Sequence, residues 1–163
     1  MLRRLDPVSD RELLREAFAW TADTPSWHRD MDSVFGPETA DEFLEMAAET
    51  ILVGIFDSSI IGLIIIAPAG KDVFNSHLCA KRDAPLNMLA ASAAQVMNDF
   101  LGLGMKEGFC WVAEKNRSVR SLCDTIGFQH EGVVMYKGVY KNRLIKWLRY
   151  SVRPEVKQVE IAA

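Results

Sequence analysis

His77, Glu114 and Cys123 can each exchange a proton, and each does so by a different chemistry. Imidazole titrates near neutrality and works as either acid or base. A carboxylate such as Glu114 can take a proton through an intervening water. A thiol with an ordinary pKa near ~8.5 is a weak acid that can give up a proton. Each also has a plainer reading, as a surface histidine, a loop glutamate and a packed helix cysteine. Lys81 and Arg82 stand just before an apolar helical pattern, where arginine suits bidentate contact with a phosphate. Asn116 opens a second such pattern in the position of an N-cap, its side-chain oxygen free to accept from the first turn.

The elements that must hold these groups follow from pattern. Leu2 to Leu5 reads as a short strand, followed by Ser9-Asp-Arg-Glu12 in the form of a capping box and by Leu13, Leu14, Ala17 and Phe18 on one helical face. The polar segment Thr21 to Gly36 carries Trp27, His28 and Phe35 and reads as a loop. Thr39-Ala-Asp-Glu42 repeats the capping-box form ahead of a second helix with Phe43, Leu44, Met46 and Ala47. Strands are predicted at Ile51 to Phe56, Ile60 to Ala67 and Asp72 to Ala80, and connections this short make them antiparallel. The second reads as covered on both faces.

Leu86, Leu89, Ala90, Ala93, Val96, Met97 and Phe100 recur at steps of three and four, a helix ending near Gly102 to Gly104. Its crossover makes the strand Phe109 to Ala113 parallel to the strand before it. The Asn116 helix stops at Gly127, where a left-handed residue is expected. Two strands, Gln129 to Val139 and Arg143 to Val152, close the pattern around Tyr140-Lys-Asn142. The order is β-α-α-β-β-β-α-β-α-β-β.

At 163 residues and 49% hydrophobic, the chain is one domain's worth of material, residues 1–163, with a core that needs no staples. Its net charge of -3 offers no global attraction to nucleic acid or an anionic membrane. Lys137, Lys141, Arg143, Lys146, Arg149 and Arg153 gather in the last third, as solvated strand and turn positions or as a polyanion-binding face. Cys79, Cys110 and Cys123 are odd in number and lie outside metal-type or C-x-x-C spacing, which argues against a disulfide framework or a metal site and for a reducing cytoplasm. Asp6 and Pro7 interrupt any apolar leader after Arg3 and Arg4, so no signal peptide is expected, and no run approaches the ~20 residues of a membrane span.

The run Asn116-Arg-Ser-Val-Arg-Ser-Leu-Cys-Asp-Thr-Ile-Gly-Phe128, with Gln-His-Glu-Gly132 after it, resembles the fourth-helix signature of the GNAT (GCN5-related) N-acyltransferases. Asn116, Val119, Leu122, Ile126, Gly127, Phe128, Glu131 and Gly132 fill the places of that pattern. The resemblance implies an α/β fold with a mixed, mostly antiparallel sheet of six to seven strands, about four helices and a splayed parallel pair. It implies acetyl transfer from acetyl-CoA, as co-substrate, to a primary amine of a small molecule or a protein N-terminus, by direct attack. His77 or Glu114 would then be the base at the splayed strands. Cys123 holds the place, seven residues after the Asn, where many members carry a tyrosine acid.

The family's phosphate loop resembles [Q/R]-x-x-G-x-[G/A], whose glycines let backbone N–H groups hold a pyrophosphate. The matching stretch is Arg82-Asp83-Ala84-Pro85-Leu86-Asn87: Arg82 fits, while Pro85 and Asn87 stand where glycine or alanine is expected and Asp83 adds a negative charge. The implied coenzyme contacts are Leu78, Cys79, Ala80, Lys81, Arg82, Leu86, Asn87, Asn116 and Ser121. Trp27, His28 and Tyr136 are the implied acceptor-side residues. Homodimers are common in the family, although no stripe in the sequence marks an interface. The rival reading is a GNAT-like binding or structural protein that keeps the fold without the chemistry. A third is nucleic-acid binding through the basic hairpin.

Overall fold

The apolar run at the centre of the sequence becomes the centre of the sheet. In the computed structural model, which describes residues 1–20, 39–140 and 142–154, Ile60 to Ile66 are all buried. Alternation, with its phase changed by the register shift that leaves Ile61 as an extra residue against β2, divides them between two cores: Ile61, Ile64 and Ile66 in one, Ile60, Leu63 and Ile65 in the other. Each such side chain contributes roughly 1.5–3 kcal/mol on leaving water. A strand apolar on both faces therefore demands helices on both sides, and the rest of the chain supplies them.

The strands are β1 (Leu2–Leu5), β2 (Ile51–Asp57), β3 (Ser59–Gly70), β4 (Val73–Ala80), β5 (Glu107–Ala113), β6 (Gln129–Tyr140) and β7 (Arg143–Val152). The helices are α1 (Arg11–Trp20), α2 (Ala40–Ala47), α3 (Leu86–Gly102) and α4 (Arg117–Ile126). One sheet runs in the order β1-β2-β3-β4-β5-β7-β6. Every neighbouring pair is antiparallel except β4 and β5. α1 and α2 cover one face through Leu14, Ala17, Phe43 and Ala47. α3 and α4 cover the other through Leu89, Ala93, Val96, Met97 and Cys123.

The element order is the one the sequence predicts, with local corrections. The capping box at Thr39 forms: its hydroxyl accepts from Glu42 N (3.2 Å) and Glu42 Oε2 accepts from Thr39 N (3.3 Å). The one expected at Ser9 does not. Asp6 Oδ1 accepts from Val8 N, Ser9 N and the Ser9 hydroxyl, so an aspartate upstream has already engaged the serine. β3 continues through the stretch expected to turn, to Gly70, by way of a register shift after Pro68. Leu86, expected on the buried stripe of α3, is 61% exposed because it is the first helical residue and overhangs the loop before it.

The last third is held by two irregularities. α4 ends at Gly127, whose φ of 98° is left-handed and costs a glycine nothing, and Gly127 N and Phe128 N both donate to Cys123 O. β6 slips register against β7 between His130 and Val134 and again between Tyr136 and Val139. At the first slip Glu131 turns to Arg149, Arg153 and Ser151. At the second, the indole N–H of fully buried Trp147 donates to Lys137 O (2.9 Å). No helix among the described residues is long and apolar enough to cross a membrane.

Candidate active site

β4 and β5 make only three pairings, Val73 with Glu107, Phe74 with Gly108 and Asn75 with Phe109. Ser76 Oγ donates to Phe109 O (3.3 Å) at the point where the strands part. Beyond it β4 remains paired to β3 and β5 to β7, so each keeps one satisfied edge and turns the other toward the gap. Alternate backbone N–H and C=O groups of Ser76 to Ala80 therefore point into open space. The gap widens into a cleft of about 340 Å³, walled by β4, β5, the start of α3 and the inner face of α4.

His77, Leu78, Cys79, Ala80, Lys81, Arg82, Leu86, Asn116 and Cys123, nine of the predicted site residues, line this cleft. Glu114, Asn87, Ser121 and Tyr136 are outside its lining. Trp27 and His28 lie outside the described residues. Sequence reasoning missed Trp111, Ser118, Ser76 and Trp20, which also line it. Trp111 lines it together with its neighbours Cys110, Val112 and Ala113, so the whole end of β5 beyond the last pairing borders the cleft.

The two base candidates occupy different settings. His77 is half-buried, and burial lowers its pKa below the ordinary histidine value, so the ring is neutral at pH 7. Its Nε2 lies 3.2 Å from the Asn75 side-chain amide nitrogen, and Asn75 Oδ1 beside it is buried with no partner among the described residues. Glu114 sits over a separate hollow of about 160 Å³ with Lys146 and Arg143. Its carboxylate pairs with the Lys146 ammonium at 2.9 Å, and that bond holds its pKa below the usual glutamate range. A charged, paired carboxylate is the weaker proton acceptor of the two.

The end of the cleft at the predicted phosphate loop rests on α3. Pro85 is its N-cap, with no side-chain cap, and the first helical bond runs from Leu89 N to Pro85 O (3.1 Å). Leu86, Asn87 and Met88 thus carry N–H groups that have no partner within the helix, and the helix dipole adds partial positive charge there. Proline removes one donor from this set. Lys81 also lines the cleft but is engaged by α1: its ammonium pairs with Glu16 Oε1 (2.9 Å) and lies 5.6 Å from the Trp20 ring. Arg82, exposed at the cleft mouth, is the cation placed to meet an anion at this helix end.

On the opposite wall Asn116 Oδ1 accepts from Val119 N (3.2 Å), so its capping role is filled while its residue also borders the cleft. Cys123 is 4% exposed, and its sulfur lies 3.8 Å from that of Cys110 on β5. Among the described residues no group of three His, Cys, Asp or Glu side chains could hold a metal ion.

No protein-family model matches the sequence, and no curated protein does. Solved structures match it along nearly its whole length. An acetyltransferase of the GNAT family from Streptococcus pneumoniae is 14% identical with a TM-score of 0.72, covering 94% of this chain and 98% of that one. A spermidine N-acetyltransferase variant from Vibrio cholerae is 15% identical with a TM-score of 0.73, covering 94% of each chain. A Salmonella typhimurium protein put forward as an acetyltransferase, solved with its cofactor acetyl-CoA, is 11% identical with a TM-score of 0.73, covering 100% and 98%. The chain has the GNAT fold.

Proposed function

We propose that this protein is an acetyl-CoA-dependent N-acetyltransferase acting on a primary amine. The observation that carries the reading is the early parting of β4 and β5 after Asn75 and Phe109, which opens a lined cleft where an extended ligand can run between two strands. The spermidine and acetyl-CoA named for the structural relatives agree with an amine acceptor and this acyl donor.

The residues divide the work by position. Arg82 and the N–H groups at the start of α3 take the phosphates, with charge-assisted bonds standing in for the donor that Pro85 lacks. The free edge of β4 from Ser76 to Ala80 supplies backbone donors to the coenzyme arm and to the oxyanion that develops as the amine attacks. His77, neutral and half-buried, accepts a proton from the amine. Cys123 returns one to the departing thiolate. Trp111, on the acceptor side of the gap, provides an apolar wall for the amine's carbon chain. Isothermal titration with acetyl-CoA tests the reading: binding with one site per chain is expected, and absence of heat at millimolar ligand overturns it.

One observation favours a second reading, a binding or structural protein on the same fold. The helix start combines Pro85, without an N–H, and Asp83, whose charge repels phosphate. That protein would leave acetyl-CoA unbound while remaining folded, so the same titration separates the two.

A further inference from the structure

All three cysteines of the chain line the one cleft, but they do not share a face. Cys79 packs with the α1 and α2 core. Cys110 and Cys123 belong to the α3 and α4 core, with their sulfurs 3.8 Å apart and a separation of 13 in sequence. One sits on β5 and the other on the inward face of α4, so a bond between them would tie the cleft's floor to its wall.

We infer that Cys110 and Cys123 form an oxidation site, a dithiol that a low-molecular-weight disulfide converts to an intramolecular disulfide, narrowing the cleft. The sulfurs are in van der Waals contact and must close to about 2.05 Å, a movement within reach of side-chain rotation and a small helix shift. Their contact, followed by burial, raises the Cys110 pKa well above the usual thiol range, and either sulfur can be the donor in it.

Cys123, as thiolate, attacks one sulfur of the small disulfide RS–SR. The S–S bond breaks, one RS⁻ leaves, and a mixed disulfide forms at Cys123. Cys110 then gives up its proton and attacks the Cys123 sulfur, expelling the second RS⁻. The protein loses two electrons and two protons, and RS–SR becomes two RSH. Cys79, on the other face of the sheet, takes no part.

The consequence for ligand binding rests on the proposed coenzyme function, and the experiment keeps the two apart. The whole protein is incubated with glutathione disulfide, quenched in acid, and measured by intact mass and non-reducing peptide mapping. A loss of about 2 Da, with a linked peptide joining Cys110 to Cys123 that dithiothreitol reverses, is expected. A stable glutathione adduct, a linkage through Cys79, or an unchanged mass overturns the site. Cys110→Ser serves as a second variant and should stop at the mixed disulfide on Cys123; a 2 Da loss in that variant overturns the pairing. Acetyl-CoA affinity is then compared between oxidised and reduced protein, where a weakening of at least ~10-fold is expected. Equal affinity overturns control of the cleft. If neither form binds acetyl-CoA, the function fails while the mass result still decides the dithiol.

Discussion

Asn75 pairs with Phe109 across β4 and β5, and no pairing follows it. The two strands run parallel for three residues and then diverge, because β7 claims the far edge of β5 while β3 keeps β4. Everything proposed for the cleft depends on where that last pairing falls.

Gly108 controls the junction from the packing side. A Cβ built there would overlap the ring of Phe74, which is 1% exposed and pairs with Gly108 across the strands. Gly108→Ala should destabilise the protein by about 1–3 kcal/mol through overpacking, read as a lower denaturant midpoint at unchanged slope. Gly102→Ala, with nothing within 4 Å of the added carbon, should leave the midpoint at or slightly above the parent's.

His77 and Glu114 should separate kinetically. His77→Gln is expected to lower kcat by roughly 10²–10⁴-fold, the usual worth of a positioned base. Glu114→Gln should leave kcat within about threefold, because it removes an exposed ion pair with Lys146 beside a different hollow. The reverse ranking would transfer the base role to Glu114.

The pH dependence has a definite sign. Burial depresses the His77 pKa, so the base form persists below the ordinary histidine value of about 6.5. The imidazole signal lost in His77→Gln should titrate in NMR with a midpoint below that value. Stability follows the same linkage: the His77 contribution is whole above about 6.5 and is lost as pH falls toward the depressed folded value.

Arg82→Ala should weaken acetyl-CoA binding by roughly 10–100-fold, the loss of one charge-assisted contact. Lys81→Ala should do much less to affinity, since its ammonium already pairs with Glu16 on the other side of the loop. Titration calorimetry on both variants reads the difference directly.

A closed ring of charge clamps β5, β6 and β7. Arg149 meets Glu107 at 2.7 Å and Glu131 at 3.7 Å, Arg153 pairs with the same two carboxylates, and the Arg149 guanidinium lies 4.3 Å from the Phe109 ring centroid. Arg149→Met should cost about 1–2 kcal/mol, because half-buried Glu107 and exposed Glu131 each lose one of two charged donors. The Arg153 hydrogen bond holds the Glu131 carboxyl below its usual range. Its contribution is therefore present above the ordinary glutamate pKa of about 4.3 and lost as pH falls through the lower folded value. Acid unfolding followed by circular dichroism should begin at higher pH in Arg149→Met.

Some of this was written in local sequence. Asn116 as a cap, Gly127 as a left-handed stop and the doubly buried β3 each express a preference that a few neighbouring residues decide, so the element order and the fold could be read from pattern and resemblance together. The Ser9 capping box failed for the same local reason in reverse: Asp6, three residues upstream, competed for the hydroxyl. The site was legible as segments only. That Lys81 bends to Glu16, that Glu114 is spent on Lys146, and that Trp111 enters the cleft are facts about residues distant in sequence. So is the 3.8 Å between Cys110 and Cys123. Strand alternation and helix phase fix which way a side chain leaves its own element, but the partner it meets is set by how sheet and helices pack, and that packing is a property of the whole chain.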